Sequence, residues 1–296
     1  YSRISTFQNI KVQHARWETM TCEEDKIISI YYICDELFKN MKFQEHYHTK
    51  AYVPEIATIA IVSSYMFYGN HQRALWWFRK CKFFNKVLSA SRFNRRLHKI
   101  SKLYWSKLLS IFTIFSKENR QNNIFLIDSF PVATSQLMRS FCVKRFSGKE
   151  YIGRDSSRKR FFQGIKVHML TDSKGCPVEY AILPGSVADL KGLYELDLDL
   201  PFGSVIIGDK AYSSKGFEEY LQEFEGKYLL PVRKKKAKNQ YDPFVKAQIN
   251  KFRKRIETTF SSILRLLPRS IAATTEKGYL LKLELFILSK LILINI

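Results

Sequence analysis

Apolar positions recur every three or four residues through the first third of the chain. Ile27, Ile30, Tyr31, Ile33, Cys34, Leu37 and Phe38 carry this period from Lys26 to about Phe43 and predict an amphipathic helix. A second run, EIATIAIVSSYMFYG, follows Pro54 and closes on Gly69, with proline at a helix start and glycine past its end. HQRALWWFRKC (71–81) predicts a third helix, and SRFNRRLHKISKLYWSKLLSIF (91–112) a fourth, capped by Ser91. Residues 1–25 are polar and unpatterned and predict a poorly ordered arm. Short connections through about residue 117 predict an all-helical N-terminal domain.

The pattern changes at KENRQNN (117–123), a charged, amide-rich linker. Period-2 or continuous β-rich runs follow: IFLID (124–128), GIKVHML (164–170), CPVEYAIL (176–183) and SVIIGD (204–209). The turn sequence TDSKG (171–175) predicts a hairpin over 164–183. LKGLYEL (190–196) reads as a helix, SSKGFEEYLQEF (213–224) as a Ser-capped helix, KYLLPV (227–232) as a strand and 244–267 as a long helix. The order predicts an α/β class: a mixed sheet flanked by helices, preceded by the all-helical domain. The domain boundary falls at 120, giving 1–120 and 121–296. The apolar tail LLKLELFILSKLILINI (280–296) carries Lys282, Glu284 and Lys290. It is short and charged for a bilayer span and reads as a packed helix, so no membrane association is expected.

Charge narrows the function. The chain has 49 Lys and Arg against 27 Asp and Glu, a net +22 over 296 residues. A field of that sign suits a partner bearing one phosphate per nucleotide, and small neutral substrates gain nothing from it. A ribosomal or acidic-membrane partner is the plainer alternative. The five cysteines are odd in number and lack CxxC spacing, which fits reduced thiols in a cytoplasm rather than a zinc module or a disulfide framework. The chain opens on Tyr1 rather than Met, which fits a fragment or an incomplete gene copy.

Within this basic chain, two acids stand at matching places. Asp128 ends IFLID and Asp209 ends VIIGD. Ligands of open α/β sheets sit beyond the carboxyl ends of strands, so parallel neighbours would bring these acids to one edge. Paired carboxylates repel unless a cation lies between them, and hard divalent ions take oxygen ligands. Either acid alone is also an ordinary turn residue. A third carboxylate, Glu257, adjoins the buried stripe Ile249, Phe252, Ile256, Phe260, Ile263, Leu264 and Leu267 of the last predicted helix. The alternative for Glu257 is a surface acid neutralising its basic neighbours.

These pieces carry a resemblance. IDSFPV (127–132), FFQGIKVHMLTDSKGCPVEYAILPGSVADLKGL (161–193), IIGDKAYSS (206–214) and RKRIETTFSSI (253–263) resemble the DDE transposases of bacterial insertion sequences. The insertion-sequence-982 family is the nearest in pattern. The likeness runs from SRFNRRLH (91–98) to the last helix. It implies a ribonuclease-H-like core in which Asp128, Asp209 and Glu257 are the catalytic, metal-binding triad, spaced 81 and 48 residues apart. It implies two Mg²⁺ ions, for which Mn²⁺ can substitute: one activates water to cut at the element end, the other stabilises the leaving 3′ oxygen. The freed 3′-OH would then join target DNA. It also implies double-stranded DNA (element ends and target) as partner, a homodimer on DNA, and a bacterial cytoplasmic location at the nucleoid.

Beside the triad, Arg253 keeps the Arg-x3-Glu spacing of a Tyr-Arg-Glu-Lys signature, but Asn250 and Leu264 hold the Tyr and Lys positions, so Arg253 is assigned only as a phosphate contact. Lys166 and His168 share one strand face, and either can touch the scissile phosphate; a packed core histidine is the alternative for His168. Asp189 can support the site or cap a helix. Lys210 and Tyr212 flank the loop bearing Asp209, and Gly208 leaves it room. The segment 138–166 reads as a mobile basic loop whose Arg145, Arg158, Lys159 and Arg160 would track a phosphate backbone. Its Phe146, Tyr151 and Phe161 would stack on bases or simply pack. RKKKAK (233–238) is a second patch. Arg92, Arg95 and Arg96 would face a DNA groove if SRFNRRLHK is a recognition helix. Two other readings stay open: a catalytically silent DNA-binding remnant of a transposase, and a nuclease that cleaves without joining.

Overall fold

The structure is a computed structural model that describes residues 21–42, 45, 49–118, 122–135, 145–155, 159–233, 240–268 and 270–295. The expected arm therefore lies almost wholly outside the described residues, as do Arg158 and Lys234–Lys238 of the basic patches.

Among the described residues, five helices come first: α1 (Thr21–Asn40), α2 (Val53–Phe67), α3 (His71–Lys80), α4 (Ala90–Leu97) and α5 (Lys102–Glu118). Pro54 stands in the first turn of α2, and Glu55 Oε2 accepts the Tyr52 N–H at 2.9 Å. The helix stops where Tyr68 and Gly69 turn to φ 51° and 73°. The single helix expected over 91–112 is two. Ser101 Oγ accepts the Tyr104 N–H at 3.2 Å and starts α5 anew, an N-cap signal hidden inside a continuous apolar period. The break lets Phe93 and Leu97 of α4 and Tyr104 and Leu108 of α5 bury in one core.

The sheet has six strands: β1 (Ile124–Ser135), β2 (Ile152–Asp155), β3 (Arg160–Asp172), β4 (Pro177–Pro184), β5 (Val205–Gly208) and β6 (Tyr228–Pro231). The expected hairpin is β3–β4. Its turn is tied by Asp172 Oδ1, which accepts the N–H groups of Lys174 (2.9 Å) and Cys176 (2.8 Å). β1 runs antiparallel to β3 and parallel to β5, and β5 runs parallel to β6. The order β4-β3-β1-β5-β6, with β2 extending the β4 edge, places three antiparallel strands beside two parallel ones. This is the ribonuclease-H-like arrangement, flanked by helices and preceded by the helical region.

Two expectations change. β1 does not stop at Asp128 but continues through Pro131 to Ser135. β5 pairs only as far as Ile127↔Gly208, so beyond that point β1 has no β5 ladder for the missing proline N–H to break. The basic stretch 138–166 is also not simply a loop: β2 and the start of β3 lie in it, and Phe146 is buried against Tyr151 and Tyr279.

Helices cover both sheet faces: α6 (Asp189–Tyr194) and α7 (Lys215–Glu225) on one, α8 (Pro243–Leu266) and α9 (Glu276–Asn295) on the other. Period-2 alternation sorts the strands. Leu126, Phe130, Val167 and Ile207 face α8 and α9, whereas Phe125, Ile127, Leu170 and Ile206 face α6 and α7. α9 explains its own all-round apolarity: Leu283 and Phe286 pack on the sheet while Leu285, Leu288 and Ile292 pack into the helical core. Among the described residues no helix is long and apolar enough to cross a membrane.

Candidate active site

Asp128 and Asp209 follow directly on the last rung of the parallel β1–β5 ladder, Ile127↔Gly208. Both share the strand parity of Leu126, Phe130 and Ile207, the residues that face α8. Gly208 makes the approach possible, because a Cβ there would lie 2.9 Å from Ile127 Cγ2 and 3.1 Å from Tyr212 Cδ2. Asp209 caps the one-turn helix Lys210–Tyr212, its Oδ1 accepting the Lys210 N–H at 2.7 Å. Asp128 Oδ1 accepts the Ser129 N–H at 2.8 Å.

The pair carries the electrostatic mark of crowded carboxylates. Burial pushes Asp128 up to about 7 against the pull of the Ser129 N–H, and the charges of Asp209 and Asp189 raise it further, with Arg253 acting in the opposite sense. Such a carboxyl is ready to exchange its proton for a cation.

α8 brings the rest. Its N-cap Asp242 accepts the Phe244 N–H at 2.8 Å, and Phe260 lies against Phe130 with ring centroids 4.8 Å apart. The β3–β4 turn fixes its rotation: Arg255 Nη1 donates to Ser173 O at 2.6 Å and Thr259 Oγ1 to Gly175 O at 3.0 Å. In that setting Arg253 Nη2 lies 3.5 Å from Asp209 Oδ1. Glu257 stands one turn further along and is exposed. Among the described residues, no three His, Cys, Asp or Glu side chains are gathered closely enough to hold a metal ion. The donor chemistry of Asp128 and Asp209 suits a hard divalent cation, and Glu257 is on the helix that already reaches Asp209.

On the opposite face of β1 lies a polar cluster that sequence reading only half anticipated. Ser129 Oγ donates to Asp189 Oδ1 at 2.7 Å, and Lys166 Nζ donates to the same oxygen at 3.3 Å and to Val187 O at 3.0 Å. Asp189 is not a cap: Ala188 holds that position. His168 does share a face with Lys166, but it is fully buried with its Nδ1 4.0 Å from Asp189 Oδ1, and burial holds it down at about 4. Lys166 and His168 thus face α6, away from Asp128, and His168 offers no surface to a phosphate. The serine following Asp128 was the available signal for this cluster.

The other expected DNA contacts are scattered. Lys210 is exposed beside Asp209, and Lys159 and Arg160 are exposed where β3 begins. Arg145 is half-buried with its guanidinium 5.7 Å from the Tyr279 ring centroid. Arg233 is held by Glu218 at 2.5 Å. Arg92 and Arg95 are exposed on α4, whereas Arg96 pairs with Glu45.

No curated protein matches the sequence. Among solved structures, the Mos1 transposase paired-end complex with left transposon end matches at 13% identity over 78% of this chain and 87% of that chain, with a TM-score of 0.24. That likeness is too slight to carry an argument. The model of the transposase DDE domain matches residues 119–295, from the linker before β1 to the end of α9. It does not single out the insertion-sequence-982 family. That span covers more than half of the chain and includes both acids at the strand edge, and the chain therefore belongs to the DDE-domain transposases.

Proposed function

We propose that this transposase cuts DNA at the ends of its element and joins the freed 3′-OH to target DNA in one site. The observation that carries the reading is the pairing of Asp128 and Asp209 at the end of the parallel β1–β5 ladder, facing the helix that bears Arg253 and Glu257. The three acids are the metal ligands, with Mg²⁺ as the cofactor in two ions and Mn²⁺ as a substitute. Bound there, divalent ions supply Lewis-acid polarisation of the phosphodiester and a more acidic water. The protein's own residues do the rest. Asp128 gives up its proton to become a full ligand. Arg253, released from Asp209, turns to the scissile phosphate, and exposed Lys210 holds the neighbouring one. The packed cluster of Ser129, Asp189 and Lys166 keeps β1 rigid behind the acids, which preserves alignment for in-line attack.

The partner is double-stranded DNA, recognised through the helical region up to residue 120, and two copies of the chain assemble on two element ends. The site of action is the bacterial nucleoid. The test is cleavage and joining of labelled element-end duplex with Mg²⁺ by the parent and by Asp209→Ala. The parent should give both products and the variant neither; equal product from both would remove Asp209 from the mechanism. A second reading, a DNA-binding remnant without chemistry, is favoured by one observation: Glu257 is exposed and not gathered with the other acids. It predicts binding without cleavage by the parent.

A further inference from the structure

A cleft of about 1330 Å³ opens between α4 and the start of α9, and none of the three acids lines it. One wall carries Arg92 and Arg95 of α4 with Lys99 just beyond it, and the other carries Lys277 and Lys282 of α9. The walls meet closely: a Cβ on Gly278 would lie 3.3 Å from His98 Cε1. Lys282 Nζ donates to Ala272 O at 2.5 Å, which anchors the floor. Asp and Glu are missing from the described lining. Of the adjoining acids, Glu45 pairs with Arg96, itself a lining residue, and Glu276 accepts the Phe146 N–H at 2.7 Å. Arg92, Arg95, Lys99 and Lys277 remain, and among the described residues no acid pairs with them, so they form a strip of positive charge.

We propose that this cleft holds the sugar-phosphate backbone of a DNA duplex, gripping it jointly from the helical region and from the last helix of the catalytic core. This rests on the reading of the chain as an enzyme acting on DNA, and it adds Lys99, Lys277 and Lys282, none of which sequence reading assigned as a DNA contact. Three features favour a duplex backbone over a small anion. The volume exceeds the usual size of a metabolite pocket. The charge is spread along two walls rather than converging on one point. Neutral donors, Asn94, Thr274 and Thr275, are interleaved with the cations, as in backbone-positioning surfaces. A phosphate strand held here would span α4 and α9, which already share the helical core.

The experiment measures binding of a fluorescent duplex by anisotropy across a salt series, without divalent metal. Arg92→Gln combined with Lys277→Gln should lower the slope of log affinity against log salt by about 2, close to 0.9 for each lost phosphate contact. Arg95→Gln with Lys99→Gln, an independent pair on the exposed rim, should do the same. Lys215→Gln, a neutralised lysine on α7, should match the parent. Parent-like slopes for both cleft pairs, with the parent binding duplex, would overturn the cleft and leave the enzyme reading intact. Failure of the parent to bind duplex at all would overturn both. Circular dichroism melts of each variant show that the fold is retained.

Discussion

Arg253 Nη2 lies 3.5 Å from Asp209 Oδ1, so one end of the acid pair is met by a cation that the long helix α8 itself supplies. The same guanidinium acts to lower the proton affinity of Asp128. Arg253 thus stands in for part of the positive charge the carboxylates call for, and it competes with any cation arriving there. Replacing it with glutamine should move the Asp128 titration upward in metal-free protein, read by carbon NMR of labelled aspartates. It should also tighten Mn²⁺ binding about two- to fivefold, the range expected for a half-exposed ion pair. An unchanged Asp128 titration would remove Arg253 from the site.

The proton on Asp128 sets a pH dependence whose sign follows from linkage. Its carboxyl moves from 3.8 in the unfolded chain to about 7 when folded, so between those values the folded state binds the extra proton. The stability this confers is complete below 3.8 and is lost as pH rises through about 7. In metal-free protein, Asp128→Asn should therefore gain stability relative to the parent as pH rises from 3.8 to about 7 and level off above that, by a few degrees in melting temperature. Mg²⁺ should raise the melting temperature of the parent at the higher pH and do little for the variant. A variant whose melting difference is flat with pH would contradict the burial of Asp128.

Behind the acids, α6 sits so close to β3 that only glycine fits at position 192. A Cβ there would come 2.2 Å from His168 Nδ1 and 2.3 Å from its Cε1, and His168 is fully buried with no room to retreat. Gly192→Ala should cost about 1–3 kcal/mol by overpacking, seen as a lower denaturant midpoint. Adding His168→Ala should recover part of that loss, because the two substitutions share one space. Simple additivity of the two would show that the helix does not rest on this ring.

Much of the architecture was legible along the chain. Periodicity located α1 to α3 and α8, TDSKG located the β3–β4 turn, and the apolar runs ending at Asp128 and Asp209 located the parallel pair. What escaped depended on partners distant in sequence. The start of α5 at Ser101 is a capping event inside an unbroken apolar period. The extension of β1 past Pro131 is allowed only because β5 ends opposite Ile127. Lys166 and His168 were correctly placed on a common face, but which face looked toward Asp128 needed the register of β1 against β3, Ser129↔His168. Glu257 was singled out by its place beside the apolar stripe of the last predicted helix, while the direction it faces depends on the rotation of α8, fixed by Arg255 and Thr259 on the hairpin turn.

The central claim is that Asp128, Asp209 and Glu257 together hold the metal that works on DNA. Its most direct test is anomalous diffraction from crystals of the full chain bound to element-end duplex and soaked in Mn²⁺. The account predicts manganese peaks coordinated by the carboxylates of Asp128 and Asp209, with Glu257 drawn into the same coordination sphere beside a DNA phosphate. Manganese bound elsewhere, or bound between the two aspartates with Glu257 still turned to solvent, would contradict it.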